Sequence, residues 1–342
     1  MEKKVSLSGL FPEEIAKAIQ LSPLFPAKQI YEWISKGAES FEQMTNIDKT
    51  TRKFLEENVL LRSSKVTEVL KDPDGTIKLQ ISLSDGLAIE TVLLTDKEGR
   101  KTACVSCQAG CAMGCAFCQT GRLGLGRNLT AGEIVEEFFF MEKEAGTLDN
   151  IVFMGMGEPL QNLDAIRKAV AILTDKKGRG LSPRRITLST CGLISGIYEL
   201  AENGPFVRLA ISLTTADPAL REQLMPVSKG NPLPELKKAI KFYSEKTGKR
   251  ITLEAALLSG QNTGLESAKR MAEFAAGLDA YINLIPWNPV QGLQFKTPSR
   301  KECEEFVKIL QNANLKVNLR TRRGVKIGGA CGQLGRSVAS SI

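Results

Sequence analysis

The sequence contains no histidine at all, and only two tryptophans, among its 342 residues. The first absence excludes histidine general bases, Ser–His and Cys–His nucleophile pairs, histidine-ligated zinc and histidine-ligated haem. Chemistry in this chain must come from cysteine, carboxylate, hydroxyl, lysine or a cofactor. Long apolar runs are missing too. No segment approaches the roughly 18 uncharged apolar residues of a membrane span, and the basic start "MEKKVSLSGLFPEEIAKAI" offers no apolar stretch of signal-peptide length. The expectation is a soluble, cytoplasmic protein without membrane contact.

What is present is charge and thiol. Lys and Arg number 46 against 38 Asp and Glu, a formal net charge of +8, which favours a polyanionic partner without proving one. Of eight cysteines, five fall in "CVSCQAGCAMGCAFC", residues 104–118. In a reducing compartment such a cluster points to metal binding or catalysis rather than to structural disulfides.

The chain divides into four segments. Residues 1–62 read as a small helical module: "FPEEIAKAI" places Pro12 in a first helical turn, "AKQIYEWISKG" ends at Gly37, and "DKTTRKFLEENVL" follows Asn46 and Asp48 as caps. Residues 63–100 hold three β-leaning runs separated by "DPDG" and "SDG" turns, a hairpin connector. From 101 to 320, strand-like runs near 102–106, 150–155, 185–190, 207–213, 251–258 and 281–285 alternate with helical patterns, and "KVNLRT" continues the rhythm. That alternation implies βαβ units on a parallel sheet, open or curved into a partial barrel. The unusual polar and Gly-rich stretches, "CAMGC", "GMGEP", "STCG", "SLTTAD" and "PWNP", fall at strand C-terminal ends, the active-site face of a barrel. Residues 321–342 form a tail.

Cys111, Cys115 and Cys118 make C-x3-C-x2-C in one tight loop, followed by "TGRLGLGR", read as flexible. Three thiolates can hold an iron–sulfur cluster at three irons and leave the fourth open to a ligand. The alternative is zinc, whose fourth ligand would have to be Cys104, Cys107 or a distant cysteine; that would make the chain a non-catalytic, zinc-stabilised RNA-binding protein.

C-x3-C-x2-C with Phe117 before the last cysteine resembles the signature of radical S-adenosylmethionine (SAM) enzymes, and "FMGMGEPL" resembles their glycine–acidic segment. The ordered set "CVSCQAGCAMGCAFCQTG", "RNLTAGEIV", "MGMGEPL", "RRITLSTCGL", "ISLTTADPALREQLMPV", "NLIPWNPV" and "ACGQL" is similar to the RlmN/Cfr family of RNA methyltransferases over essentially the whole chain. The resemblance implies an α/β fold with a partial (βα)6 barrel, a [4Fe-4S] cluster on Cys111, Cys115 and Cys118, and two SAM molecules per turnover. One SAM would methylate Cys331; the other, reduced by the cluster, would yield a radical that activates that methyl group for addition to an adenine ring carbon. A covalent RNA adduct would follow, released when Cys104 attacks Cys331 and forms a disulfide. An adenine carbon is too weak a nucleophile for direct transfer, so covalent and radical activation make chemical sense.

By the same resemblance Glu158 accepts the SAM amino group, Gly157 allows close backbone approach, and Ser189, Ser212, Leu213, Thr214 and Asn288 line the nucleoside pocket. Glu90 matches a proton acceptor; its plain alternative is an exposed hairpin carboxylate. The implied substrates are 23S rRNA and tRNA, methylated at adenosine carbon 2, with carbon 8 the alternative; an external one-electron donor and a monomeric state complete the expectation. Two positions depart from the family pattern: Thr214 stands where histidine is usual, and Cys107 where serine is. The segment "VKIGGACGQL" also lacks the family's acidic residues, and the basic "RTRRGVK" before it suits phosphate.

Overall fold

The structure, a computed structural model, describes residues 4–20 and 22–335. Three helices open the chain. α1 (Pro12–Ala18) begins on a proline already set for the first turn, with the Phe11 N–H donating to Glu14 Oε2 at 2.8 Å. α2 (Phe25–Ser35) buries Ile30 and Ile34, and α3 (Lys49–Asn58) is capped by Asp48, which accepts from the Thr51 N–H at 2.9 Å.

Residues 63–100 hold three strands, and the first strand of the following segment pairs with the last of them. β1 (Lys65–Lys71), β2 (Ile77–Ser82), β3 (Ala88–Thr95) and β4 (Lys101–Cys104) pair antiparallel in sequence order. β4 then pairs in parallel with the next long-range strand, so the hairpins run on into the main sheet. β5 (Gln108–Cys111), α4 (Gln119–Leu123) and β6 (Gly124–Asn128) frame the cysteine loop, with β5 and β6 antiparallel. The stretch "TGRLGLGR", expected to be flexible, is therefore this helix and strand. Glycine permits the pairing: a Cβ on Gly110, whose φ is +86°, would lie 2.0 Å from the Gly124 carbonyl oxygen.

Regular alternation follows: α5 (Ala131–Ala145), β7 (Asn150–Phe153), α6 (Leu163–Thr174), β8 (Ile186–Thr190), α7 (Ile194–Asn203), β9 (Arg208–Ser212), α8 (Pro218–Leu224), α9 (Leu233–Thr247), β10 (Ile251–Leu257), α10 (Leu265–Ala275), β11 (Ala280–Pro286), α11 (Arg300–Asn312) and β12 (Lys316–Leu319). The sheet order is β1-β2-β3-β4-β7-β8-β9-β10-β11-β12, parallel from β4 onward. Inward positions are continuous apolar runs, such as Leu209, Ala210 and Ile211 on β9, as expected of strands covered on both faces. Among the described residues no helix is long and apolar enough to cross a membrane.

The N-terminal helices are fastened to this core. Gly37, just after α2, has no room for a Cβ against the Phe139 ring of α5. Glu136, 1% exposed on α5, accepts from the Ser63 and Ser64 N–H groups at 2.8 and 2.9 Å and from the Ser64 hydroxyl. Tyr31 of α2 donates to Asp175, after α6, at 2.9 Å.

Candidate active site

The C-terminal ends of five consecutive parallel strands, β7 to β11, meet the cysteine loop around one cavity of about 190 Å³. Cys111, Cys115 and Cys118 line it on the loop side; Gly157, Glu158, Ser189, Ser212, Thr214, Glu254 and Asn288 line it from the strand ends. Cys331 and Gly332 close it from the C-terminal segment. Residues as distant in sequence as Cys111 and Cys331 thus share one space; the Cys331–Asn288 pair is bonded, Asn288 Nδ2 donating to the Cys331 carbonyl at 3.2 Å.

The strand-end wall is held by backbone donors. Glu158 is 3% exposed, and its two carboxylate oxygens accept from the Leu160 N–H at 3.0 Å and the Cys191 N–H at 2.8 Å. Burial raises its pKa, against the pull of those donors. Gly157 has φ +105°, and a Cβ there would fall 2.6 Å from Gln108 Cβ; the close approach it permits in this structure is that of Gln108, whose Oε1 accepts the Glu158 N–H at 2.8 Å. Ser189 and Ser212 face each other with hydroxyls 3.5 Å apart. Leu213 does not line the cavity; it is fully buried and donates its N–H to the Glu254 carbonyl at 2.9 Å. Thr214 is held at φ +60°, a sparsely populated region for a β-branched residue. Its N–H donates to the Glu254 carbonyl at 3.1 Å and its carbonyl accepts from Asn262 Nδ2 at 2.8 Å.

The C-terminal segment is laced across the mouth as a strap. The Gly324 N–H donates to Asp74 at 2.7 Å and the Lys326 N–H to Asp72 at 3.2 Å, both in the β1–β2 turn. Beyond Cys331, the Gln119 N–H donates to the Gly332 carbonyl at 2.8 Å, Thr120 Oγ1 to the Leu334 carbonyl at 2.7 Å, and Gln333 Nε2 to the Pro289 carbonyl at 2.8 Å. The Gly335 N–H reaches Glu90 Oε2 at 2.7 Å. Residues 336–342 of the expected tail lie outside the described residues.

Glu90 is therefore not an exposed hairpin carboxylate. It is fully buried, ion-paired with Lys78 at 2.9 Å, and sits behind the strap rather than on the cavity wall. Cys104, at the end of β4, is buried as well. Burial is the main cause that pushes its thiol pKa up, and the neighbouring Cys331 and Glu137 add to it. Cys331 is exposed to the cavity while protein surrounds it; that crowding raises its pKa, Glu254 adding and Arg320 opposing. Cys107 responds instead to Glu158, Cys111 and Glu137 after its own burial, and not to Cys331. All eight cysteines are free thiols.

Glu254 and Arg221 are cavity-side features that sequence reasoning missed. Glu254 is the one carboxylate in the otherwise apolar "ITLEAAL" of β10, the signal that could have found it; it accepts from Asn283 Nδ2 at 2.9 Å, and burial raises its pKa. Arg221 on α8 is 1% exposed, and no sequence motif singles it out.

The side chains fit a cluster and a nucleoside-bearing cofactor. Asn288 Oδ1 is buried at the cavity without a hydrogen-bond partner among the described residues, an acceptor waiting for a donor. Among the described residues no three His, Cys, Asp or Glu side chains converge tightly enough to hold a single metal ion. Thiolates that ligate three different irons stand further apart than the ligands of one zinc, so the arrangement of Cys111, Cys115 and Cys118 around the loop suits the cluster.

Residues 105–275 match the Radical SAM superfamily, and residues 22–61 match the ribosomal RNA large subunit methyltransferase N-terminal domain. The chain is 58% identical to the "Probable dual-specificity RNA methyltransferase RlmN" of Treponema denticola, over 99% of this chain and 97% of that one. It is 42% identical to the protein of the same description from Moorella thermoacetica, over 98% of each. A radical SAM methyltransferase from Sphaerobacter thermophilus superposes with a TM-score of 0.92 at 40% identity, covering 97% of this chain and 99% of that one. With the thiol loop, the strand-end cavity and both segments matched, the chain belongs to the RlmN family of radical SAM RNA methyltransferases, enzymes that use a [4Fe-4S] cluster and SAM.

Proposed function

We propose that this enzyme methylates carbon 2 of adenosine in 23S rRNA and in tRNA, acting as a cytoplasmic monomer supplied by an external one-electron donor, with Cys331 as methyl carrier and Cys104 as the thiol that releases the product. The observation that carries the reading is that Cys331 shares one cavity with Cys111, Cys115, Cys118, Glu158 and Asn288 while Cys104 lies within electrostatic reach of it. The dual-specificity descriptions of the relatives support two RNA substrates.

Cys111, Cys115 and Cys118 would hold the cluster, and the cluster with SAM supplies the radical chemistry that an adenine carbon requires. Glu158, Ser189, Ser212 and Asn288, with Gly157, Leu213 and Thr214 shaping the backbone, would orient SAM. The strap keeps Cys331 on the wall of that space, where the surrounding protein raises its thiol pKa. Glu90, with Lys78 on one oxygen and the Gly335 N–H on the other, is positioned to accept a proton only when the strap shifts. The exposed Arg320 and Arg322 and the half-buried Arg323 precede the carrier, a basic approach suited to RNA phosphate.

The test is to incubate anaerobically reconstituted enzyme with SAM, reductant and a 23S rRNA fragment or tRNA, then digest the RNA to nucleosides. 2-Methyladenosine from both substrates is the expected product. 8-Methyladenosine would overturn the carbon assignment, and no methyladenosine from tRNA would overturn the dual specificity.

A further inference from the structure

α8 starts at Asp217, which caps it by accepting from the Leu220 N–H at 3.0 Å, and Pro218 sets its first turn. One turn on, Arg221 points inward. Its Nη2 donates to the Cys191 carbonyl at 2.8 Å; its Nη1 donates to the Ser212 carbonyl at 3.2 Å and to the Leu213 carbonyl, and lies 3.4 Å from Met225 Sδ. None of these partners is a carboxylate, and among the described residues Nε has no hydrogen-bond partner. Among the described residues the guanidinium is thus a buried positive charge solvated by carbonyl dipoles. An isolated buried charge is among the costliest groups a fold can carry. Lys78, also deeply buried, has its carboxylate in Glu90.

The missing anion has an evident place. The cysteine loop packs on the end of α8: the Ala116 N–H donates to the Leu224 carbonyl at 2.9 Å, and Met113, Cys115 and Phe117 join Leu224 and Met225 in one apolar cluster. Three thiolates on a doubly positive iron–sulfur core leave a net negative unit, and one-electron reduction doubles it.

We propose that Arg221 is the built-in counter-charge of the cluster: its guanidinium stabilises the reduced form more than the oxidised form and so makes the cluster easier to reduce, while its hydrogen bonds fix the turns that carry Cys191, Ser212 and Leu213. The inference rests on Cys111, Cys115 and Cys118 being the cluster ligands. Arg221 acts through the cluster and is a positioning residue.

The experiment is an anaerobic, mediator-coupled dithionite titration of the reconstituted enzyme without SAM or RNA, followed by electron paramagnetic resonance, with iron and sulfide measured on every sample. Arg221→Met with full iron content should hold at least tenfold less reduced cluster at a given potential, a negative shift of about 59 mV or more for a one-electron couple. Arg221→Lys should shift by less than half as much. An unchanged midpoint in fully loaded Arg221→Met overturns the proposal, as does an equal shift in Arg221→Lys. Should Arg221→Met not load, Arg221→Gln, which keeps a donor but no charge, carries the same measurement. Loss of iron from both uncharged variants while Arg221→Lys loads supports the charge requirement; loss from all three assigns Arg221 a purely structural part. Cys115→Ala is run alongside: if it retains the full cluster, the ligand assignment itself has failed, and the two failures are told apart.

Discussion

On the strand side of the cavity, Glu158, Ser189, Ser212 and Asn288 stand on the ends of strands whose register is fixed by the parallel ladder, and Glu158 is pinned by two backbone N–H groups. On the strap side, Cys331 stands on a segment without helix or strand, held by single hydrogen bonds reaching in from the β1–β2 turn, α4, Asn288 and Glu90. The first wall is part of the hydrophobic core; the second is fastened to it. A cofactor site gains from rigidity, because preorganised groups need no rearrangement when they act. In the role proposed for Cys331, meeting first a methyl donor and then a nucleic-acid base, fastenings that can each be released at about 1 kcal/mol are an advantage.

The sharpest way to break this contrast is on the loop that faces both walls. Replacing Cys111, Cys115 or Cys118 with Ala should abolish cluster assembly and SAM cleavage, read as iron and sulfide content and as 5′-deoxyadenosine formed. A fully loaded, active variant of any of the three would remove the loop from the site.

Next in size is the separation of the two thiols Cys331 and Cys104. Cys331→Ala should give neither methylated protein nor RNA adduct. Cys104→Ala should stall with RNA attached through a bond that survives denaturant and disappears with ribonuclease on a gel. Because Cys331 acts on the Cys104 thiol, while Glu158 and Cys111 are the first charged neighbours to act on the buried Cys107 thiol, Cys107→Ala should behave as wild type and the double variant as Cys104→Ala. Adduct confined to the double variant would mean that Cys107 can reach the carrier.

The strap itself can be loosened one fastening at a time. Asp74→Ala and Thr120→Val each remove a hydrogen bond to its backbone, at about 1 kcal/mol, so methylation of Cys331 should slow roughly fivefold while RNA-independent SAM cleavage holds. Equal loss of both activities would show that the two walls are mechanically one.

The smallest effect concerns the core behind Cys104. Glu137 is fully buried, accepts the Ser106 N–H at 2.8 Å, and is raised well above the ordinary carboxylate value by burial. The folded chain then binds that proton more tightly than the unfolded chain, so this carboxyl costs more stability as pH rises from its unfolded pKa of about 4.5 toward its folded value. Glu137→Gln should raise the melting temperature at pH 8 by a few degrees, leave it nearly unchanged at pH 4, and flatten the curve between. A stability profile parallel to wild type at all pH values would show that Glu137 is not held neutral.

Strands β7 to β12 were legible because each is a short apolar or alternating run in step with the intervening helices, and the cavity because its peculiar residues fall at strand ends. What stayed hidden was whatever depends on contacts between distant segments. Gly110 and Gly124 pair as strands through a clearance that composition alone reports as flexibility. Asp72 and Asp74 read as turn formers, and only the folded chain brings them to the backbone of Gly324 and Lys326. The burial of Glu90 against Lys78 and of Arg221 among backbone carbonyls was hidden because nothing local distinguishes a buried charge from one in water.

Glu136 gives the molecule a fixed span. By gripping two consecutive backbone amides, at Ser63 and Ser64, from inside α5, it removes the joint where the N-terminal helices would otherwise pivot against the sheet. The distance from those helices to the mouth of the cavity is then a constant of the fold.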